Sequence, residues 1–169
     1  MKAKILTILF ALISFSAFAA EEQESAPPSQ MLNSSGLPIP RFVSFKSEDV
    51  NMRVGPGMNY PIKWMYKRQN LPVEVVAEFG NWRKIRDYDG EEGWIMQVLL
   101  SGRRYAIVTS EAVVHNVYKG ERAVARLSPG VQVQVEKCRA TQCEIEHSQA
   151  HGWVEKNKLW GVYRNEEFD

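Results

Sequence analysis

The stretch Val50-Asn51-Met52-Arg53-Val54-Gly55-Pro56-Gly57 decides the fold class of this chain. Its first five residues alternate apolar and polar side chains, the period of a strand with one buried face. The strand then stops where two glycines, each able to take positive φ, bracket a proline whose φ is fixed. Asn51 and Arg53 lie two apart and therefore share a face. From there Arg53 can donate to carbonyls of the following loop and hold it closed. Asn51, Gly55 and Pro56 are accordingly read as structural.

Outward from this corner the chain is a series of short strand signals. Arg41-Phe42-Val43-Ser44-Phe45 precedes it; Pro61-Ile62-Lys63-Trp64-Met65-Tyr66 and Val73-Glu74-Val75-Val76-Ala77 follow. Gly80-Asn81 turns the chain into Trp82-Arg83-Lys84-Ile85-Arg86, and Asp89-Gly90 into Gly93-Trp94-Ile95. Short β-prone runs separated by turn residues predict an all-β fold built as a small barrel or sandwich.

The pattern then recurs. Tyr105-Ala106-Ile107-Val108 opens a second unit, Ala112-Val113-Val114-His115 replaces the strand ending at Val54, and Val131-Gln132-Val133-Gln134-Val135 alternates strictly. Cys143-Glu144-Ile145-Glu146 matches Arg83-Lys84-Ile85-Arg86, and Gly152-Trp153-Val154 matches Gly93-Trp94-Ile95 at a displacement of 59 residues. Two units of one architecture account for this order. The expected layout is a first barrel over 41–102, a second, degenerate one over 103–163, and a tail over 164–169.

Asn51-Met52-Arg53-Val54-Gly55-Pro56-Gly57 with Tyr60-Pro61 resembles the N-x-R-x-G-P motif of bacterial SH3-domain proteins, whose other marker is the closing Gly93-Trp94-Ile95. The ending Gly152-Trp153-Val154 and Leu159-Trp160-Gly161-Val162-Tyr163 is similar to that of exported two-repeat members from Gram-negative bacteria. The resemblance covers residues 41–163 and implies two tandem SH3-like barrels. The Asn-x-Arg motif is absent from the second unit. Gly93 and Gly152 are expected to admit a neighbouring backbone, while Trp94 and Trp153 fill a gap at the barrel end.

The start of the chain bears on location. Lys2 and Lys4 precede an apolar run from Ile5 to Phe18, and Ala17-Phe18-Ala19 places small residues where a signal peptidase reads them. That run is shorter than the roughly 20 residues a membrane span requires. Residues 1–19 are therefore expected to be a signal peptide. Residues 20–40, rich in Glu, Pro, Ser and Asn, are expected to be a disordered linker. The whole chain carries 21 Lys+Arg and 20 Asp+Glu, so loss of Lys2 and Lys4 leaves a net charge of −1. That balance argues against nucleic acid as a partner, and no stable membrane insertion is expected after signal cleavage. The expected location is periplasmic or secreted.

Cys138 and Cys143 flank four residues, the length of a hairpin loop, and in an exported protein read as a disulfide. With His147 and His151 they also give a zinc-like spacing. On a strand, however, Cys143 and His147 would lie about 13 Å apart, too far for one ion. No metal or cofactor is expected. Asp87, Asp89, Glu91 and Glu92 cluster on a turn and read as a solvated loop. His115 has no evident partner, and no catalytic group is assigned.

SH3-like folds recognise extended chains through grooves lined by aromatic residues. If Ile85 is core, Trp82 faces outward; it either contacts a ligand or packs under a loop or against the second barrel. The expected ligand set is Tyr60, Trp82 and Tyr88, with Arg53 and Asn59 as hydrogen-bonding groups. The position matching Trp82 in the second unit is Gln142, so the first barrel carries the expectation. The expected function is non-catalytic binding of cell-wall peptidoglycan, peptide stem or glycan. The alternative is an adaptor for another envelope protein, with an envelope hydrolase as the weakest reading.

Overall fold

Seven strands make up the first unit: β1 (Arg41–Phe45), β2 (Asp49–Arg53), β3 (Ile62–Lys67), β4 (Pro72–Phe79), β5 (Trp82–Arg86), β6 (Glu92–Met96) and β7 (Leu100–Ser101). The second repeats them as β8 (Tyr105–Val108), β9 (Ala112–His115), β10 (Ala123–Leu127), β11 (Gln132–Cys138), β12 (Gln142–His147), β13 (Ala150–Glu155) and β14 (Leu159–Trp160). The computed structural model describes residues 35–148 and 150–169. The expected signal peptide and the linker through residue 34 lie outside the described residues.

Strand order in the first sheet is β3-β2-β6-β5-β4-β1-β7, and in the second β10-β9-β13-β12-β11-β8-β14. The two orders correspond strand for strand, and the irregularities correspond as well. The ladder between β4 and β5 slips between Val75 and Ala77; that between β11 and β12 slips between Val135 and Lys137. β2 with β3 and β9 with β10 also slip at equivalent points. Bulges bend a strand and set its twist, so a shared bulge pattern means a shared curvature. The chain is two tandem SH3-like barrels.

Each barrel closes on its own core. Phe45, Val50, Met52, Tyr66, Val73, Val75, Ile85 and Ile95 fill the first. Ala112, Val114, Val133, Val135, Ile145 and Val154 lead the second, together with both cysteines. The alternation read from Val50 to Val54 places Val50 and Met52 inside and Asn51 outside. β10, β7 and β14 carried no clear sequence signal. Ala123-Val124-Ala125-Arg126 lacks alternation because β10 is an outermost strand, exposed over most of its length. The other two are only two residues long.

Gly55 and Gly57 work by space and not by handedness. Neither is among the glycines with positive φ. A Cβ on Gly55 would stand 2.4 Å from the Tyr60 ring, and one on Gly57 2.6 Å from the Asn59 side-chain oxygen. The loop is folded back so tightly that only glycine leaves room for its own aromatic residue. Gly93 admits the neighbouring strand as expected: a Cβ there would lie 2.8 Å from the Arg53 carbonyl.

The barrels pack against each other through aromatic rings. Phe42 of β1 meets Trp160 edge-on at 5.2 Å and Tyr163 at 4.7 Å. The Tyr163 hydroxyl donates to Glu74 at 2.8 Å, and the Ser44 hydroxyl donates to the Arg103 carbonyl at 2.9 Å. Residues 164–169, read from sequence as a tail, lie on the second barrel. Phe168 exchanges backbone hydrogen bonds with Cys138, and Arg104 pairs with Glu166 at 2.7 Å. The end of the expected linker is likewise docked, since Ser35 donates to Glu78 through its backbone and its hydroxyl.

Candidate binding groove

Trp82 begins β5 immediately after the turn Gly80-Asn81, where Gly80 takes φ of 51°. Ile85 is fully buried, and strand alternation therefore puts Trp82 on the outer face, half-buried. Its cross-strand partner is Met96. With Met58 and Leu99 these side chains form the apolar wall of a groove of about 120 Å³, and Asp49, Asn51 and Arg53 form the polar wall.

Buried groups hold this groove in shape. Arg83, on the inner face beside Trp82, donates to the Gly80 carbonyl at 2.8 Å, to the Trp82 carbonyl at 3.0 Å and to the Gln97 side chain. The Gln97 backbone donates in turn to the Asn81 carbonyl at 2.9 Å. Arg83 is neutralised by Glu78 at 3.3 Å, and Glu78 also pairs with Arg41 at 2.7 Å. Burial alone would raise the Glu78 carboxyl. Hydrogen bonds from Ser35 and Arg41 and the charge of Arg83 outweigh it and hold the pKa at about 2. On the other wall Arg53 donates to the Tyr60 carbonyl at 2.7 Å, closing the loop as its place in the sequence suggested.

The groove has a counterpart in the second barrel with different chemistry. Glu111, Val113, His115, Glu155 and Lys158 line it, enclosing about 240 Å³. His115 stands where Arg53 stands, since each pairs across from the tryptophan of its Gly-Trp marker. Gln142 takes the Trp82 position but is buried, accepting from the Lys119 backbone at 2.7 Å.

The expected ligand residues do not all converge. Trp82 and Arg53 share the groove. Tyr60 lies on the adjoining loop with its ring against Gly55, and Asn59 turns back toward Gly57. Tyr88 sits apart, its ring edge-on to Trp160 at 5.6 Å along the seam between barrels. Trp94 is half-buried across from Arg53, and Trp153 is buried against Tyr118 at 5.1 Å. Met96, Met58 and Asp49 were not anticipated. Only strand register makes Met96 a neighbour of Trp82, and only the folded loop brings Met58 over.

The acidic turn is tied into the structure. Asp87 is buried, accepts from Tyr66 at 2.8 Å and receives the Glu91 backbone at 2.8 Å. Burial and that carboxylate together push the Tyr66 phenol well above its usual range. Glu91 pairs with Lys63 at 2.8 Å and Glu92 with Lys84 at 2.6 Å. Cys138 and Cys143 form a disulfide, which removes both sulfurs of the zinc-like spacing. The disulfide occupies the register position that Glu78 and Arg83 hold in the first barrel. One repeat thus closes its hairpin with a buried ion pair and the other with a covalent bond.

Tandem barrels with a half-polar groove at one end of the first define a small all-β module of SH3 type. The model of the bacterial SH3 domain family matches residues 46–102 and 118–161, and the chain belongs to that family. No curated protein matches the sequence. Among solved structures the chain is similar to NlpC2 of Trichomonas vaginalis, with 12% identity and a TM-score of 0.34 over 75% of this chain and 49% of that one. NlpC1 of the same organism matches with 12% identity and a TM-score of 0.34, over 79% of this chain and 47% of that one. The chain thus spans about half the length of either structure. Among the described residues no helix is long and apolar enough to cross a membrane.

Proposed function

We propose that this protein is a non-catalytic binding module of the cell envelope, and that its first barrel holds peptidoglycan in the Trp82 groove. The supporting observation is the contrast between the two grooves. In the first repeat the site joins an indole and two thioethers to Arg53, Asn51 and Asp49; in the second the same place has no indole, phenol or thioether, and its one ring is the small polar imidazole of His115. An aromatic face beside hydrogen-bonding groups suits a chain that is part apolar and part polar, such as peptide stem or glycan. Membership of the bacterial SH3 family, a cell-wall-binding module type, supports the same reading. The disulfide fits an oxidising compartment outside the cytoplasm, and the signal-like start fits export to the periplasm.

Co-sedimentation with purified peptidoglycan sacculi tests this. The oxidised protein is expected in the pellet and Trp82→Ala in the supernatant. Wild-type protein that stays in solution at low and moderate salt overturns the reading. One observation favours an adaptor as the second reading. On the outermost strand β3, Ile62, Trp64 and Met65 are 45%, 57% and 62% exposed, large apolar side chains left open at the sheet edge. Crosslinking to an envelope protein through Trp64, with sacculus binding absent, would support that alternative.

A further inference from the structure

A cavity larger than the Trp82 groove lies elsewhere in the fold. It is a cleft of about 490 Å³ on the second barrel, between the disulfide hairpin and the docked C-terminal segment. Thr141 and Gln142 of the hairpin line it together with Glu155, Lys156 and Asn157. Lys119 and Arg164 stand at the rim.

The charged side chains that line this cleft are mostly cations. Several other cations of this barrel are paired with carboxylates: Arg104 with Glu166 at 2.7 Å, Lys137 with Glu144 at 3.1 Å and Arg139 with Asp169 at 2.8 Å. Lys119, Lys156 and Arg164 have no carboxylate partner within ion-pair distance among the described residues. Lys156 is only 6% exposed. Its ammonium group donates to the Arg164 and Glu166 carbonyls, using two of its three N–H groups. A buried ammonium held by carbonyls alone is costly unless an anion joins it. Lys119 is held at the rim in a left-handed conformation, φ 55°, its backbone N–H bonded to Gln142. Three cations against the single carboxylate of Glu155 leave a net positive cleft.

We propose that this cleft is a second binding site, which takes the carboxylate end of a short peptide. The cations receive the carboxylate, and Thr141, Asn157 and Glu155 offer partners to peptide N–H and C=O groups. No aromatic ring is among the lining side chains, so the stacking face that favours a sugar is missing, while the amide and hydroxyl groups suit a peptide backbone. The volume lies within the roughly 300–1,000 Å³ of small-ligand sites. This inference concerns a different barrel from the Trp82 reading and stands or falls separately.

The test is a ¹⁵N-NMR titration of the oxidised protein with N-acetyl-Ala-Ala, compared with the same dipeptide amidated at its C-terminus. Saturable shifts of the Thr141, Lys156 and Asn157 amides are expected with the free carboxylate. The amidated peptide is expected to bind about tenfold more weakly, because it lacks the charge-assisted hydrogen bonds. Arg164→Gln, at an exposed position, is expected to weaken the carboxylate form by about tenfold on the same ground. Lys119→Asn, which tolerates the left-handed backbone, should act in the same direction, and Trp82→Ala should change nothing. Absence of saturation, equal binding of both dipeptides, wild-type affinity in Arg164→Gln, or shifts confined to the Trp82 groove would each overturn the proposal.

Discussion

Replacing Glu78 by glutamine removes the charge at the centre of the network that shapes the first groove while keeping the side-chain volume. Glu78 is fully buried at its side chain and faces Arg83, 6% exposed, and Arg41, 16% exposed. Its pKa of about 2, against an ordinary 4.5, corresponds to about 3 kcal/mol of folding stability at roughly 1.4 kcal/mol per unit. Arg41 retains some water, so the expected loss in Glu78→Gln is about 2–3 kcal/mol near neutral pH. The sign follows from the direction of the shift. A depressed carboxylate pKa stabilises fully above the unfolded value of 4.5 and is lost as pH falls through about 2. Urea unfolding of wild type and variant, followed by circular dichroism across that window, should therefore show two curves that converge in acid. A loss below about 0.5 kcal/mol near neutrality, where surface substitutions fall, would refute the reasoning. So would a difference that stays constant down to pH 2.

Three further outcomes follow from the packing. Gly93→Ala sets a methyl 2.5 Å from Met52 and 2.8 Å from the Arg53 carbonyl; it should cost about 1–3 kcal/mol in thermal or urea unfolding and loosen the Arg53 corner. Cys138→Ala with Cys143→Ala should cost about 2 kcal/mol, the low end for a disulfide because the closed loop is short. That loss should appear in the unfolding of the second barrel and leave the first unchanged. Phe42→Ala empties the seam against Trp160 and Tyr163 and should cost about 3 kcal/mol. ¹⁵N relaxation should then show two barrels tumbling with separate correlation times, where the wild type tumbles as one body.

Local chemistry made the repeat readable. The alternation at Val50–Val54, the turns at Gly80-Asn81 and Asp89-Gly90, and the Gly-Trp pairs at 93 and 152 all act between neighbours in the chain, so the strands they predict are the strands that form. The inward face of Ile85, and hence the outward face of Trp82, needed only the two-residue period of a strand. The disulfide was legible because a four-residue loop brings its flanks together whatever the rest of the chain does.

What tertiary structure alone decided are the relations between residues distant in sequence. Tyr60, Trp82 and Tyr88 looked like one aromatic set, but the packing of one barrel on the other drew Tyr88 to Trp160. Met96 and Met58 joined Trp82 through register and a folded loop. Glu78 and Arg83 replaced a disulfide only once both hairpins could be laid on the same bulge. The C-terminal residues, unremarkable as a string, became the strap that holds Lys156 and walls the basic cleft. Periodicity and turn chemistry are written locally, whereas a groove or cleft is made where separate strands and loops meet, and that meeting is set by the energy of the whole packed core.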